Sequence, residues 1–316
     1  MKTTDLTKLL LAAAIPGAAA FGVIPVTDNL GIRGYIDGSY QNSDNNGAKT
    51  EGINLDNADV DFLISADKVT AEIHLSGIGS VAIEQAFLTY DLGNGLNITG
   101  GLFESSLGYE GDEQYQLYQQ SYAYNFGGTS KDYFNKNYQQ GIRASYKMDA
   151  LSASVSVVDD VWQNNVGGAG DASDIGFEAF ISYNAMKGLT IGVGTAQGDE
   201  NSTSAIDNYY NVWAQYDGIE NLILAAEYNF YDVGTNDGDS WLIMGNYSFG
   251  NSVAATLRYS QTKEDTTFEG DKFTVSPSYS FTDNLLGVLE YSTGDQGTPA
   301  AQQNFDFFAV EALFTF

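Results

Sequence analysis

The sequence predicts an all-β protein: a transmembrane, antiparallel, up-and-down β-barrel of about sixteen strands, with a long third loop folded into the lumen. Three observations predict it. From residue 30 to the C-terminus, apolar residues recur with period two rather than 3.6. The connections between these runs alternate between short turns and longer polar loops. Ahead of the runs stands a segment with the layout of an export signal.

The alternation is plain in the first run. Leu30, Ile32, Gly34, Ile36, Gly38 and Tyr40 share one face, while Arg33, Tyr35, Asp37, Ser39 and Gln41 share the other. Sixteen such runs cover 30–41, 53–66, 69–76, 81–92, 96–103, 138–148, 151–158, 174–185, 189–196, 208–217, 222–230, 241–249, 252–260, 271–281, 285–291 and 303–316. Most are close to the ~9–11 residues a tilted strand needs to cross a bilayer. Pro277 falls inside one of them and cannot donate a ladder hydrogen bond, so a local bulge or bend is expected there.

Short turns are read at Asp67-Lys68, Leu92 to Gly95, Met148 to Ala150, Ala185 to Gly188, Gly218 to Asn221, Gly250-Asn251 and Thr282 to Asn284. Gly, Asn and Asp accept the positive φ of tight hairpins. Between them lie polar loops at 42–52, 77–80, 104–137, 159–173, 197–207, 231–240, 261–270 and 292–302. Tyr90, Tyr146, Tyr183, Tyr216, Tyr247 and Tyr279 recur just before short turns, in one register. That places an aromatic girdle at one membrane boundary, with Tyr40, Phe230, Tyr259 and Tyr291 in the opposite one. The last strand alternates Phe308, Val310, Ala312, Phe314 and Phe316, which is like the C-terminal signal read by bacterial barrel-assembly machinery.

Residues 1–20 carry Lys2 and Lys8, an apolar stretch Leu9 to Ile15, helix-breaking Pro16 and Gly17, and Ala18 to Ala20 for cleavage. The expected organisation is therefore a signal peptide at 1–20 and one barrel domain at 21–316, exported to the outer membrane of a Gram-negative-type bacterium.

Composition excludes several classes. There is no cysteine and one histidine, so disulfide frameworks, thiolate metal sites and multi-histidine sites are ruled out. The formal charge of −28 argues against nucleic acid as a partner. Thirty-five Gly and 21 Tyr with only four Pro suit a many-stranded protein rather than a helical one. Histidine catalysis would rest on His74 beside Glu72 alone, so no enzyme is expected. Asn42-x-Asp44-x-Asn46-Gly47 is similar to the start of a calcium loop, but Ile53 stands where the bidentate Glu belongs. No cofactor and no metal site are expected.

The segment Glu84 to Tyr90, then Gly93 to Leu96, Gly100 to Phe103 and Leu107 to Glu110, resembles the OmpL-like β-barrel porin family over about residues 84–125. The resemblance implies a passive channel in which a strand–turn–strand leads into a pore-narrowing loop.

From the residues, the longest connection, 104–137, carries Glu104, Glu110, Asp112 and Glu113 and a run of tyrosines. A loop this aromatic is expected to pack rather than float in water. The inward positions Asp37, Asp59, Asp61 and Glu72, with Arg33, Arg143 and Arg258, complete the expected pore lining. More acid than base predicts mild cation selectivity for a water-filled channel passing ions and small hydrophilic solutes. The other function weighed is a structural or adhesive barrel that binds a partner through its outer loops. Expected partners are outer-membrane lipid and lipopolysaccharide and the barrel-assembly machinery through Phe316, and the sequence leaves open whether the barrel stands as a monomer or in a homotrimer.

Overall fold

The computed structural model describes residues 22–131, 137–159, 161, 175–198, 206–233, 236–250 and 252–316. The segment read as a signal peptide lies outside them. In chain order the strands are β1 (Ile24–Thr27), β2 (Leu30–Asn45), β3 (Ala48–Ala66), β4 (Val69–Ser76), β5 (Ala82–Gly93) and β6 (Leu96–Glu104). A two-residue hairpin, β7 (Asn125–Phe126) and β8 (Thr129–Ser130), follows inside the long connection. Then come β9 (Tyr138–Met148), β10 (Leu151–Asp159), β11 (Ile175–Met186), β12 (Leu189–Gln197), β13 (Ile206–Ile219) and β14 (Leu222–Val233). The last are β15 (Asn236–Gly250), β16 (Val253–Glu264), β17 (Phe268–Thr282), β18 (Leu285–Thr298) and β19 (Ala301–Thr315).

Strands β2–β6 and β9–β19 form one closed antiparallel barrel of sixteen. Each pairs with its sequence neighbour, β6 pairs with β9 across the long connection, and β19 pairs with β2 at the seam. Every stretch read as a strand in the sequence is a wall strand. At the seam, Phe316 and Gly34 exchange backbone hydrogen bonds of 2.9 Å in both directions. A side chain on Gly34 would meet the Asp59 carbonyl at 2.3 Å and the Phe316 ring at 2.7 Å, so the closure depends on a glycine here.

The two faces differ as the alternation requires. One exposes Ile142, Val155, Ile243, Leu257 and Val310, an apolar surface suited to hydrocarbon. The other buries Ser156, Asn229, Ser260, Thr274 and Ser292, and faces the interior. Among the described residues no helix is long and apolar enough to cross a membrane, so crossing falls to the strands.

The six girdle tyrosines pair with the residue that opens a neighbouring strand: Tyr90 with Val69, Tyr146 with Leu96, Tyr183 with Leu151, Tyr216 with Leu189, Tyr247 with Leu222 and Tyr279 with Val253. They therefore stand at one height beside the short turns.

Two expectations are corrected. Several stretches read as long loops are tall two-stranded ribbons: β2 and β3 run to Asn46-Gly47, and β18 and β19 pair out to Thr298 and Ala301. Above a bilayer both faces of a ribbon meet water, so period-two hydrophobicity ends while backbone pairing continues. The calcium-loop-like segment belongs to this class. Asn42 to Asn45 are strand residues, Asn46 and Gly47 take φ of 51° and 87°, and Asp44 accepts from the Gly47 N–H at 2.7 Å. Pro277 likewise makes no bulge. Val275 pairs with Tyr291 and Ser278 with Val288 in one register, and the Ser276 hydroxyl donates to the Leu289 carbonyl at 2.9 Å.

Candidate functional site

The connection between β6 and β9 meets the inward face of the wall through apolar contacts first. Leu107, Tyr118, Ala123, Tyr124 and Phe126 from the connection share a buried cluster with Phe103, Val158, Ala196, Tyr209, Ile223, Leu242 and Phe268 from the wall. Burying a side chain the size of Leu107 or Phe126 contributes about 1.5–3 kcal/mol. The landing surface exists because alternation lapses at Leu222 to Ala226 and Trp241 to Met244, where consecutive apolar residues give both faces apolar character.

Wall charges then hold the connection. Glu178 accepts from the Ser105 hydroxyl at 2.5 Å and the Ser106 N–H at 3.0 Å. Glu227 accepts from the Tyr109 N–H at 2.7 Å and the Tyr124 hydroxyl at 2.9 Å. Glu290 accepts from the Ser121 N–H at 2.8 Å and from its hydroxyl. Lys131 reaches Glu264 at 2.7 Å. From β17, Lys272 donates to the Tyr122 and Asn125 carbonyls at 2.5 and 2.7 Å. Lone backbone groups in a packed connection need such partners, and the inward wall supplies them from five strands.

The expected lining residues fall into distinct groups. Glu110 is 5% exposed and accepts from Arg258 at 2.5 Å, from Gln119 at 2.8 Å and from the Ala123 N–H at 2.8 Å. It organises the connection from within. Arg143 donates to Ser156, to the Glu104 carbonyl and to Glu178, and lies over the Phe103 ring. The Glu104 N–H donates to Gln85 at 2.9 Å, which sets where β6 gives way to the connection. Arg33 pairs with Asp61 at 2.7 Å and Glu72 at 3.2 Å, and His74 lies 3.1 Å and 3.0 Å from the same two carboxylates. Asp37 meets the Glu311 carboxyl across the β2–β19 seam.

Glu113 takes hydrogen bonds from Tyr35 at 2.7 Å and Tyr138 at 3.1 Å. Burial, and the neighbouring Glu84 carboxylate, push the Glu113 carboxyl well above the usual carboxylate range. Carboxylate oxygens of Asp59, Glu84 and Glu113 lie within 4.8 Å of one another.

A cavity of about 570 Å³ separates the connection from the wall on the side of β2, β3, β18 and β19. Its charged lining is Asp37, Glu51, Asp56 and Asp112 against Lys272. Sequence reasoning missed three of these, and Glu51 escaped because it lies in a stretch read as a loop. Lys272 shares its face with Thr274 and Ser276, so alternation could have found it. Asp56 could not be found that way, because strict alternation puts it outside. The register slips between Asp37 and Gly38, leaving Asp56 as the extra residue of a bulge and turning it inward.

A closed sixteen-strand barrel with an apolar outside, a polar inside and a long connection bonded to its inner wall defines the transmembrane β-barrel class. The sequence profile of the family described as beta-barrel porin-2, OmpL-like, matches residues 76–316, and the chain belongs to this family. No curated protein sequence matches the chain. Among solved structures, it is similar to OmpF of Salmonella typhi in complex with daunomycin, at 14% identity and a TM-score of 0.70, over 93% of this chain and 100% of that one. It is similar to an anion-selective porin from Comamonas acidovorans, at 11% identity and a TM-score of 0.67, over 91% and 99%. A trimer form of OmpT, an outer membrane protein of Vibrio cholerae, aligns at 15% identity and a TM-score of 0.60, over 91% and 99%. At these identities the likeness is one of fold.

Proposed function

We propose that this barrel is an outer-membrane porin, a water-filled channel for passive diffusion of ions and small hydrophilic solutes with a mild preference for cations. Family membership supports the channel, and one observation carries the preference. The cavity beside the connection is lined by four carboxylates and one lysine, and that lysine is turned to carbonyls of the connection. Acid in excess at a narrow passage raises the local cation concentration and repels anions. On this reading the connection lies inside the lumen and narrows it, since its partners are inward side chains from β11, β14, β16, β17 and β18. A porin of similar fold is anion-selective, so this reading rests the preference on the lining rather than on the barrel.

The same reading places the barrel in lipid and lipopolysaccharide as a homotrimer, in line with the trimer form of a similar barrel. Delivery would use the assembly machinery, with Phe316 at the end of the seam strand as its contact. Reversal potential across a planar bilayer in a salt gradient tests the preference. Cation preference that falls when Asp37 and Asp56 are changed to Asn supports it, and anion preference in the unaltered barrel contradicts it.

A further inference from the structure

Three carboxylates converge where the connection crosses β3 and β5: Asp59 and Glu84 from the wall and Glu113 from the connection. Asp59 is 3% exposed and Glu113 is 4% exposed. Asp59 Oδ2 and Glu84 Oε2 are buried and have no hydrogen-bond partner. Glu113, in contrast, accepts phenolic hydrogens on both oxygens, from Tyr35 and Tyr138. These two donors favour ionisation, against the burial and the Glu84 carboxylate that oppose it, so like charges compete where water is scarce.

No ion pair among the described residues places a basic side chain on these three carboxylates. The nearby Arg33 is engaged by Asp61 and Glu72. Buried like charges without a counter-ion are costly enough that a proton or a cation must accompany them. The local backbone points the same way. His74 pairs with Gln85 and Leu75 with Ile83, so Glu84 is the extra residue of a bulge that turns its carboxylate toward Asp59 and Glu113.

We infer that Asp59, Glu84 and Glu113 bind a calcium-sized divalent cation that ties the long connection to the wall. All the donors are hard oxygens, which select calcium-like or magnesium-like ions over transition metals. The surroundings choose between them: three protein carboxylates where water is scarce suit calcium, whereas magnesium keeps several waters and is usually held by one or two carboxylates. The ion would neutralise part of the cluster and pin the connection at Glu113. The inference stands apart from the channel reading, because binding can be measured on a barrel that conducts nothing.

The test uses terbium, a luminescent stand-in for calcium, on the full barrel in detergent after chelator treatment. Tyr35 and Tyr138 touch Glu113, so excitation of tyrosine should sensitise a bound terbium ion. The expected result is saturable emission that calcium displaces at least tenfold more effectively than magnesium. It should weaken at least tenfold in Asp59→Asn with Glu113→Gln, checked for folding by heat-modifiable migration on gels. Should that double variant fail to fold, Glu84→Gln alone decides, with the same loss expected. Absent or non-saturable emission, emission that the folded variants retain, or equal displacement by magnesium would overturn the site.

Discussion

Single residues set the most specific expectations. Glu110 and Arg258 are both nearly inaccessible and pair at 2.5 Å, and Glu110 also caps the Ala123 N–H. Removing one partner of a buried pair leaves an uncompensated charge, at a cost of about 3–5 kcal/mol. Glu110→Ala should therefore loosen the connection while the wall stays closed, read as faster proteolysis within residues 109–131 and noisier channel openings. Unchanged proteolysis would mean that the pair does not hold the connection. Gly34 gives a contrasting case. Gly34→Val drives a side chain into the Asp59 carbonyl at the seam, where overpacking costs about 1–3 kcal/mol or more. The expected outcome is a lower temperature for loss of heat-modifiable migration; a wild-type temperature would show that the seam can shift to accept it. At this scale the sequence was partly readable. Alternation placed Arg33, Asp37, Asp61 and Arg258 inward, but it could not separate carboxylates that anchor from carboxylates that face open space. That distinction depends on which backbone N–H groups of a folded connection arrive beside Glu178, Glu227 and Glu290.

Elements were more legible than their ends. Each strand was visible because one face had to be apolar, and most short turns because Asp67, Asn94, Asp149, Gly188, Asn221 and Gly250 hold positive φ. Gly95 shows the demand most sharply, since a side chain there would sit 2.0 Å from the Lys147 carbonyl. The tall ribbons were hidden because paired backbone in water leaves no hydrophobic period. The bulges at Asp56 and Glu84 were hidden because one extra residue shifts the face without changing composition. Within β17, the Ser276 hydroxyl takes the place of the N–H that Pro277 lacks. Ser276→Ala should cost about 1–3 kcal/mol by orphaning the Leu289 carbonyl. In a Pro277→Val background the ladder N–H returns, and the same change should cost little. Equal costs in both backgrounds in a denaturant series would refute the substitution of one donor for the other.

For the whole molecule, the barrel is a closed frame, and on the proposed reading the long connection narrows its interior. Apolar packing places that connection against β10 to β17, wall charges fix it there, and the opposite side keeps a cavity rich in acid. A net charge of −28 is consistent with this lining but does not locate it. Lys272→Met removes the one basic group of the lining among the described residues and should shift reversal potential further toward cation preference. An unchanged reversal potential would mean that Lys272 has no electrostatic influence on permeation.

Single-channel conductance of the unaltered barrel, set against a variant in which residues 109–129 are replaced by a short Gly-Ser linker, tests the central claim most directly. The unaltered protein should conduct with cation preference, and the shortened one should conduct several-fold more with weaker preference. A closed unaltered barrel, or equal conductance in the two, would contradict a channel narrowed by this connection.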